Sequence, residues 1–364
     1  MAKRLKDRFF TEDSVREFAE VLKRHYPELD DEELVRLLTE DSFKELELMA
    51  MGRRATECLA GLLPKSYKKS VKILTKAAPE VKGFESFCLP TFVETRGLED
   101  WETSMPAMRV FTQYSSSEFS IRPFLLQDPE RAIAYLLELA DDEHPNVRRF
   151  ASEGCRPRLP WAVALPEFKK DPAPILPILE KLKDDDSEFV RTSVANNLND
   201  ISKDHPDVVL DICERWQGDS KNTDWIIKRA CRTMLKAGNT RAMRLFGFGD
   251  PKSMEVTGLE LAASTVPIGG DTRFSFTLVM KTKKPCKVRL EYSIGYVKKT
   301  GKVSKKVFQI REDTYAPGKH EISRKLSFAD RSTRKHYPGA HLLSIVVNGV
   351  VKAETEVMVR EASR

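Results

Sequence analysis

The chain has 364 residues, of which 41% are hydrophobic and 32% are charged, and its formal net charge is +6. This length allows two domains with separate cores. No run of about 18 apolar residues occurs, and the basic N-terminal stretch lacks the apolar segment of a signal peptide, which argues against membrane and secreted proteins. We therefore expect a cytoplasmic protein without a membrane partner.

The six cysteines form no CxxC pair and no His/Cys cluster with metal-ligand spacing, so we expect reduced, mainly buried thiols. No metal or nucleotide motif is present, and we expect no cofactor. Positive charge is concentrated in the C-terminal third, where residues 251–364 hold 22 Lys and Arg against 11 Asp and Glu. Residues 1–250 hold 39 Lys and Arg against 44 Asp and Glu. A basic module of this kind suits a polyanion, although it can also serve solubility alone.

Residues 1–250 are predicted to be helical throughout. Thr11–Ser14 marks a helix start, and Pro27–Asp31 ends that helix and opens the next one. Residues 62–103 suggest short helices with longer connections. Further on, the segments DDEHPNVRRFASEG, DDDSEFVRTSVANNL and NTDWIIKRACRTML can be laid over one another, which aligns Val147, Val190 and Ile227. Their spacings of 43 and 37 residues predict a HEAT-like repeat solenoid whose second helices line a concave binding wall.

After residue 250 the periodicity changes to two. Alternating apolar residues run through 274–280, 288–294 and 342–347, and Gly and Pro turns separate them. About seven short strands indicate an all-β immunoglobulin-like sandwich over residues 251–364, without the disulfide of antibody domains because only one cysteine lies there. The predicted fold is therefore multidomain: an all-α HEAT-like solenoid over residues 1–250, followed by this sandwich.

Three acidic residues of the helical part are candidates for chemistry: Glu118 in SSSEFSIRPF, Glu153 in HPNVRRFASEG and Asp200 in VANNLNDISKDHP. Asp200 ends a polar stripe that also contains Ser193, Asn196 and Asn197, opposite an apolar stripe. Glu153 aligns with Asn196 in the repeat, so both should face the same wall. The third repeat copy offers Lys228, Arg229 and Arg232 on its polar side. Acids surrounded by cations suit a cationic reaction centre inside a polyanion.

The segment Arg156-Pro-Arg-Leu-Pro-Trp161 follows the second of these acids and is stiffened by its two prolines. Each candidate also has a structural interpretation. Acids on solenoid helices are usually solvated or paired. An Arg after the repeat's Val or Ile commonly links neighbouring repeats, and Trp161 can cap a hydrophobic layer. His144 and His205 each precede a proline at a repeat turn, which favours turn roles over catalysis.

The sequence resembles the AlkC-type DNA glycosylases of alkylation repair, which are relatives of AlkD, over most of its length. The resemblance rests on LKDRFFTEDSVREFAEVL, FTQYSSSEFSIRPFL, HPNVRRFASEGCRPRLPWA and the segment FVRTSVANNLNDISKDHPDVV. One branch of that family carries an immunoglobulin-like C-terminal domain. The resemblance implies hydrolysis of the N-glycosidic bond of 3-methyladenine and 3-methylcytosine in double-stranded DNA, leaving an abasic site, without base flipping.

The same resemblance implies catalytic roles for Glu118, Glu153 and Asp200, and a place beside the lesion for Trp161. It implies backbone contacts for Arg149, Arg156 and Arg158. We expect a monomer without lyase activity, because no motif positions a lysine as a Schiff-base nucleophile. We expect the basic C-terminal domain to be an accessory DNA-binding module. The rival hypothesis is a non-catalytic HEAT-repeat scaffold that binds DNA or protein through the same wall.

Overall fold

The computed structural model describes residues 9–330 and 335–361; of the basic segment 331–335, residues 331–334 lie outside the described part. The chain divides into two compact units, 1–205 with 216–230 and 206–215 with 231–364. The last helix ends at Leu245 and the first strand begins at Met254. The domain boundary near residue 250 stays a prediction. Among the described residues, no helix combines the length and apolar character needed to cross a membrane.

The prediction of a helical N-terminal part is confirmed. The α-helices of the described residues are α1 (Glu12–His25), α2 (Asp31–Thr39), α3 (Asp41–Lys44), α4 (Leu48–Leu62), α5 (Tyr67–Ala77), α6 (Cys88–Arg96), α7 (Trp101–Tyr114), α8 (Arg122–Gln127), α9 (Pro129–Leu139), α10 (Pro145–Gly154), α11 (Pro166–Lys170), α12 (Leu176–Lys181), α13 (Glu188–Ile201), α14 (Pro206–Trp216), α15 (Lys221–Ala230), α16 (Arg232–Lys236) and α17 (Thr240–Leu245).

Local sequence explains where these helices begin. The hydroxyl of Thr11 accepts a hydrogen bond from the Ser14 amide and so caps α1 at the predicted start. The carboxylate of Asp30 caps α2 in the same way. α10 begins with Pro145, and the His144 ring accepts a hydrogen bond from the Asn146 amide. His144 therefore has the turn role predicted for it.

The repeat alignment corresponds to one layer of packed helices. α10 packs against α13, and α13 packs against α15. The aligned residues Val147, Val190 and Ile227 are all buried in that layer. The Arg after the first of them joins two repeats, because Arg148 Nε lies 2.6 Å from Asp185 Oδ2. The structural interpretation of this arginine is therefore confirmed.

The C-terminal part consists of two sheets, one of three strands in the order β1-β3-β6 and one of five strands in the order β2-β8-β7-β4-β5. The strands are β1 (Met254–Leu261), β2 (Thr265–Pro267), β3 (Asp271–Met280), β4 (Cys286–Val297), β5 (Val303–Tyr315), β6 (Gly318–Ser327), β7 (Gly339–Val347) and β8 (Val350–Arg360). All pairs are antiparallel except β2 with β8.

The predicted period of two appears as alternating burial along β3, where every second residue from Thr272 to Met280 is buried. Phe274 and Phe276 join Leu290, Ile345 and other apolar residues of both sheets in one hydrophobic core. All six cysteines are free thiols, five of them buried, as predicted.

Candidate active site

Three separate segments supply the predicted acids. Glu118 lies in the turn before α8, Glu153 in the last turn of α10 and Asp200 in the last turn of α13. α10 packs against both α7 and α13, so acids that lie 35 and 47 residues apart in the chain meet in one cluster. All three are buried, at 6%, 5% and 2% exposure.

Arg156 joins two of these acids. Its Nη1 donates to Glu153 Oε1 at 2.6 Å, and its Nε donates to Asp200 Oδ2 at 2.9 Å. Arg156 is itself 7% exposed, so this chain of charges lies inside the protein rather than on its surface. The two carboxylates outweigh the effect of burial and raise the pKa of Arg156, which therefore carries its positive charge.

Arg149 joins a second pair of acids, Glu118 and Glu153. Its Nη1 lies 3.0 Å from Glu118 Oε2, and its Nη2 lies 3.4 Å from Glu153 Oε1. The guanidinium also stacks on the ring of Phe189, 4.7 Å from its centroid, and Phe189 is 51% exposed. Nη1 donates to the hydroxyl of Ser116 as well. Arg149 thus holds two acids in place while one of its faces is covered by an exposed aromatic ring.

The three acids differ in how fully their oxygens are bonded. Glu153 accepts from Arg156 and from the Ser193 hydroxyl at 2.7 Å, and Asp200 accepts from Arg156 and from Lys203 at 2.9 Å. Glu118 Oε2 has no hydrogen bond of good geometry among the described residues, although Arg149 lies within ion-pair distance of it. Burial raises the pKa of Glu118, and the charge of Arg149 opposes that rise. Glu118 is therefore the acid of the cluster whose carboxylate is least fully hydrogen-bonded.

The polar stripe of α13 is internal. Ser193, Asn197 and Asp200 are buried, whereas the sequence pattern favoured an open wall. The Asn197 amide donates to the Ser152 carbonyl at 2.8 Å, and the Ser152 hydroxyl donates to Ser193 at 2.7 Å. The stripe therefore connects α10 with α13. The Ser193 hydroxyl, which belongs to it, orients the Glu153 carboxylate.

Trp161 is placed very differently from the acids. Its side chain is 80% exposed, so it does not cap a hydrophobic layer. Its φ of 65° lies in the left-handed region, which a bulky residue adopts only when its surroundings hold it there. Trp161 and Phe119, the neighbour of Glu118, line the same small cavity. The exposed indole therefore lies beside the chain neighbour of Glu118.

Arg122 is a buried residue that sequence reasoning missed. Its Nη1 donates to the carbonyls of Gly154 at 3.2 Å and Arg156 at 3.0 Å, and its Nε donates to the carbonyl of Val163. It is 0% exposed, and burial lowers its pKa to about 10. The signal was an arginine within the apolar run FSIRPFLL. Arg122 fastens both ends of the segment that presents Arg156 and Trp161.

The other predicted cations are Arg158, Lys228, Arg229 and Arg232. Arg158 makes a bidentate pair with Asp204, with Nη2 at 2.7 Å from Oδ1. Lys228 and Arg229 are exposed on α15, and Arg232 is exposed on α16 in the second unit. Contacts of these residues with DNA stay predictions. In the part of the chain that the structure describes, no group of three or more His, Cys, Asp or Glu could hold a metal ion.

Comparisons with known proteins show which family the chain resembles. A family described as "DNA alkylation repair enzyme" matches residues 114–234, and one described as "Uncharacterised protein YhaZ, C-terminal Ig-like domain" matches residues 255–361. Uncharacterized protein YhaZ of Bacillus subtilis (strain 168) is 43% identical over 344 residues, which is 94% of this chain and 96% of that protein.

A solved structure is similar over the whole chain. It is the Pseudomonas fluorescens alkylpurine DNA glycosylase AlkC bound to DNA containing an abasic site analog. The two chains are 37% identical and superpose with a TM-score of 0.88, covering 98% of this chain and 100% of the other. The first family match, 114–234, includes all three acids of the cluster.

We predict that Arg156→Met lowers the free energy of unfolding by about 3–5 kcal/mol, because it leaves two buried carboxylates without their shared partner. The matched control is Arg158→Met, which breaks a partly exposed pair with Asp204 and should cost about 1 kcal/mol or less. Urea unfolding followed by circular dichroism measures both. Equal losses for the two variants would contradict a special role for Arg156.

Proposed function

Because the chain belongs to the AlkC-type DNA alkylation repair enzymes with a C-terminal immunoglobulin-like domain, and is thus a DNA repair glycosylase, we propose that it excises small cationic N-alkylated bases. Its substrates would be 3-methyladenine and 3-methylcytosine in double-stranded DNA in the cytoplasm, and its product an abasic site. The observation that carries the proposal is the joining of Glu118, Glu153 and Asp200 by two arginines beside exposed Trp161.

The chemistry of the substrate matches these residues. A base alkylated on a ring nitrogen is already cationic, so it leaves as a neutral molecule without a general acid. The deoxyribose then develops oxocarbenium character. Preorganised carboxylates stabilise that developing charge strongly when they lie in a protein interior of low dielectric constant. The buried acids of this chain are held in fixed positions by Arg149 and Arg156, so little reorganisation is needed during the reaction.

Glu118 is the acid we assign to the attacking water. Its Oε2 has no hydrogen bond of good geometry among the described residues, and burial raises its pKa, so it can accept a proton from water. Glu153 and Asp200 are fully engaged with their partners and act through their charge. The exposed indole of Trp161 can lie against the deoxyribose or the cationic base and add a cation–π attraction of about 1–2 kcal/mol.

DNA phosphates complete the site in this proposal. Arg149 and Lys203 pair with the acids in the free protein, and Lys203 is 40% exposed. A phosphate next to them would share their positive charge and so strengthen the field of the acids on the sugar. We propose a monomer that acts without base flipping, and without lyase activity since none of the described contacts sets up a lysine nucleophile.

Base release is the direct test of the proposed function. Wild-type protein incubated with duplex DNA containing 3-methyladenine should release the free base and leave sites that alkali cleaves. Glu118→Gln, Glu153→Gln and Asp200→Asn should each slow release by about 100-fold or more while retaining DNA binding. Asp204→Asn, at a nearby acid paired with Arg158, serves as the matched control and should keep its activity.

Absence of base release by wild-type protein would reject the glycosylase hypothesis and favour the DNA-binding scaffold. Full activity of all three acid variants would contradict the site assignment. Thermal unfolding of each variant, measured alongside, separates loss of chemistry from loss of fold.

We propose that the sandwich is an accessory DNA-binding module. Five exposed lysines follow the β4–β5 hairpin, and none has a carboxylate oxygen within 4.0 Å among residues 9–330 and 335–361: Lys298, Lys299, Lys302, Lys305 and Lys306. β5 is the edge of its sheet, where lysines also prevent edge-to-edge pairing. Lysines concentrated on one hairpin nevertheless give it a positive charge that attracts a phosphate backbone.

We predict that the triple variant Lys302→Ala, Lys305→Ala, Lys306→Ala binds duplex DNA more weakly. The slope of log K against log salt concentration should become shallower by about 0.9 for each phosphate that the variant no longer neutralises. The control removes three lysines of the same unit that pair with carboxylates, Lys281, Lys287 and Lys325. Fluorescence anisotropy over a salt series measures both. Equal slopes for wild type and the first variant would contradict the module's role.

A further inference from the structure

A small cavity beside Trp161 has no role in the proposed bond cleavage. Its volume is about 150 Å³, and it lies between α4, α6 and the segment after α10. The rings of Phe87, Phe119 and Trp161 line it, together with Met49, Arg53 and Glu94. This space holds several water molecules but is below the range of about 300–1,000 Å³ typical of drug-sized ligands. It therefore suits a single flat molecule the size of one base rather than a nucleotide.

The polar groups of this cavity are incompletely bonded. The Glu94 side chain is 19% exposed, and its nearest cation is Arg53, whose Nη2 lies 3.9 Å from Oε1 and whose side chain is 64% exposed. Ser120 is 1% exposed, and its hydroxyl is a donor beside the Glu94 carboxylate. Burial raises the pKa of Glu94. A half-buried carboxylate whose neighbours are one hydroxyl and one cation at 3.9 Å is stabilised by a ligand that supplies further N–H groups.

We propose that this cavity binds the free base after its release, with Glu94 accepting a hydrogen bond from the exocyclic amino group. The aromatic rings would cover the faces of the base. A single exposed arginine makes the cavity a poor site for a phosphate, which favours the free base over a nucleotide. The inference rests on the proposed function, because a glycosylase that excises adenine-type lesions produces such a base at the neighbouring site. Glu94 is then a product-binding residue and takes no part in bond cleavage.

Calorimetric titration of the full-length protein with free 3-methyladenine tests the proposal. Wild type should bind the base saturably, and Glu94→Gln should bind it at least about tenfold more weakly, which corresponds to about 1.4 kcal/mol. 3-Methylhypoxanthine, which lacks the amino group, should bind wild type weakly and should not be affected by Glu94→Gln. The control variant Glu102→Gln, at an exposed glutamate that pairs with Arg131, should bind like wild type.

Three results would overturn the proposal: no saturable binding of 3-methyladenine by wild type, equal affinity of Glu94→Gln, or a Glu94→Gln protein that has weaker affinity for abasic DNA but not for the base. The base-release assay is run on the same preparations. Excision by wild type without base binding rejects the cavity alone. Base binding without excision rejects the proposed function and leaves a base-binding cavity. The two failures are therefore distinguishable.

Discussion

The bridge that Arg156 makes between Glu153 and Asp200 is the interaction on which the site depends. A buried carboxylate without a partner is costly, and two side by side repel each other. One guanidinium with donors in a rigid fork satisfies both and fixes their distance. Because Arg156 follows α10 directly, the bridge also ties the exit of one repeat to the end of the helix in the next. The same contact therefore neutralises the buried charges and holds the two repeats together.

Buried hydrogen bonds in the first unit hold the segment that carries Arg156 in place. Arg122 holds the carbonyls of Gly154, Arg156 and Val163 from inside, which fixes the path of the chain up to the strained Trp161. A left-handed tryptophan is stable only where such contacts determine the backbone. The result is a set of buried negative charges held by arginines, followed in the chain by one large, exposed aromatic side chain. That geometry suits a reaction whose transition state is positive and whose substrate carries phosphates.

How much could be predicted depended on whether a feature was periodic. The repeat spacing placed Val147 and Val190 in one layer, and alternation in the C-terminal part predicted its strands, because both follow from backbone geometry. The pairing of charges did not follow in this way. The pairing of Arg156 with two acids gave no signal in the sequence, and neither did Glu94, since their neighbours come from distant segments. Side-chain partners across repeats are decided by tertiary packing, which a linear pattern does not record.

In the proposed reaction, the acids held by Arg149 and Arg156 stabilise positive charge at the deoxyribose. The most direct test of this stabilisation compares two abasic analogues in the same duplex, a neutral tetrahydrofuran and a cationic pyrrolidine, by their dissociation constants. Wild type should bind the cationic analogue at least about tenfold more tightly, since it resembles the transition state. Asp200→Asn should lose most of that preference while binding the neutral analogue normally. Equal affinity of wild type for both analogues would contradict the account.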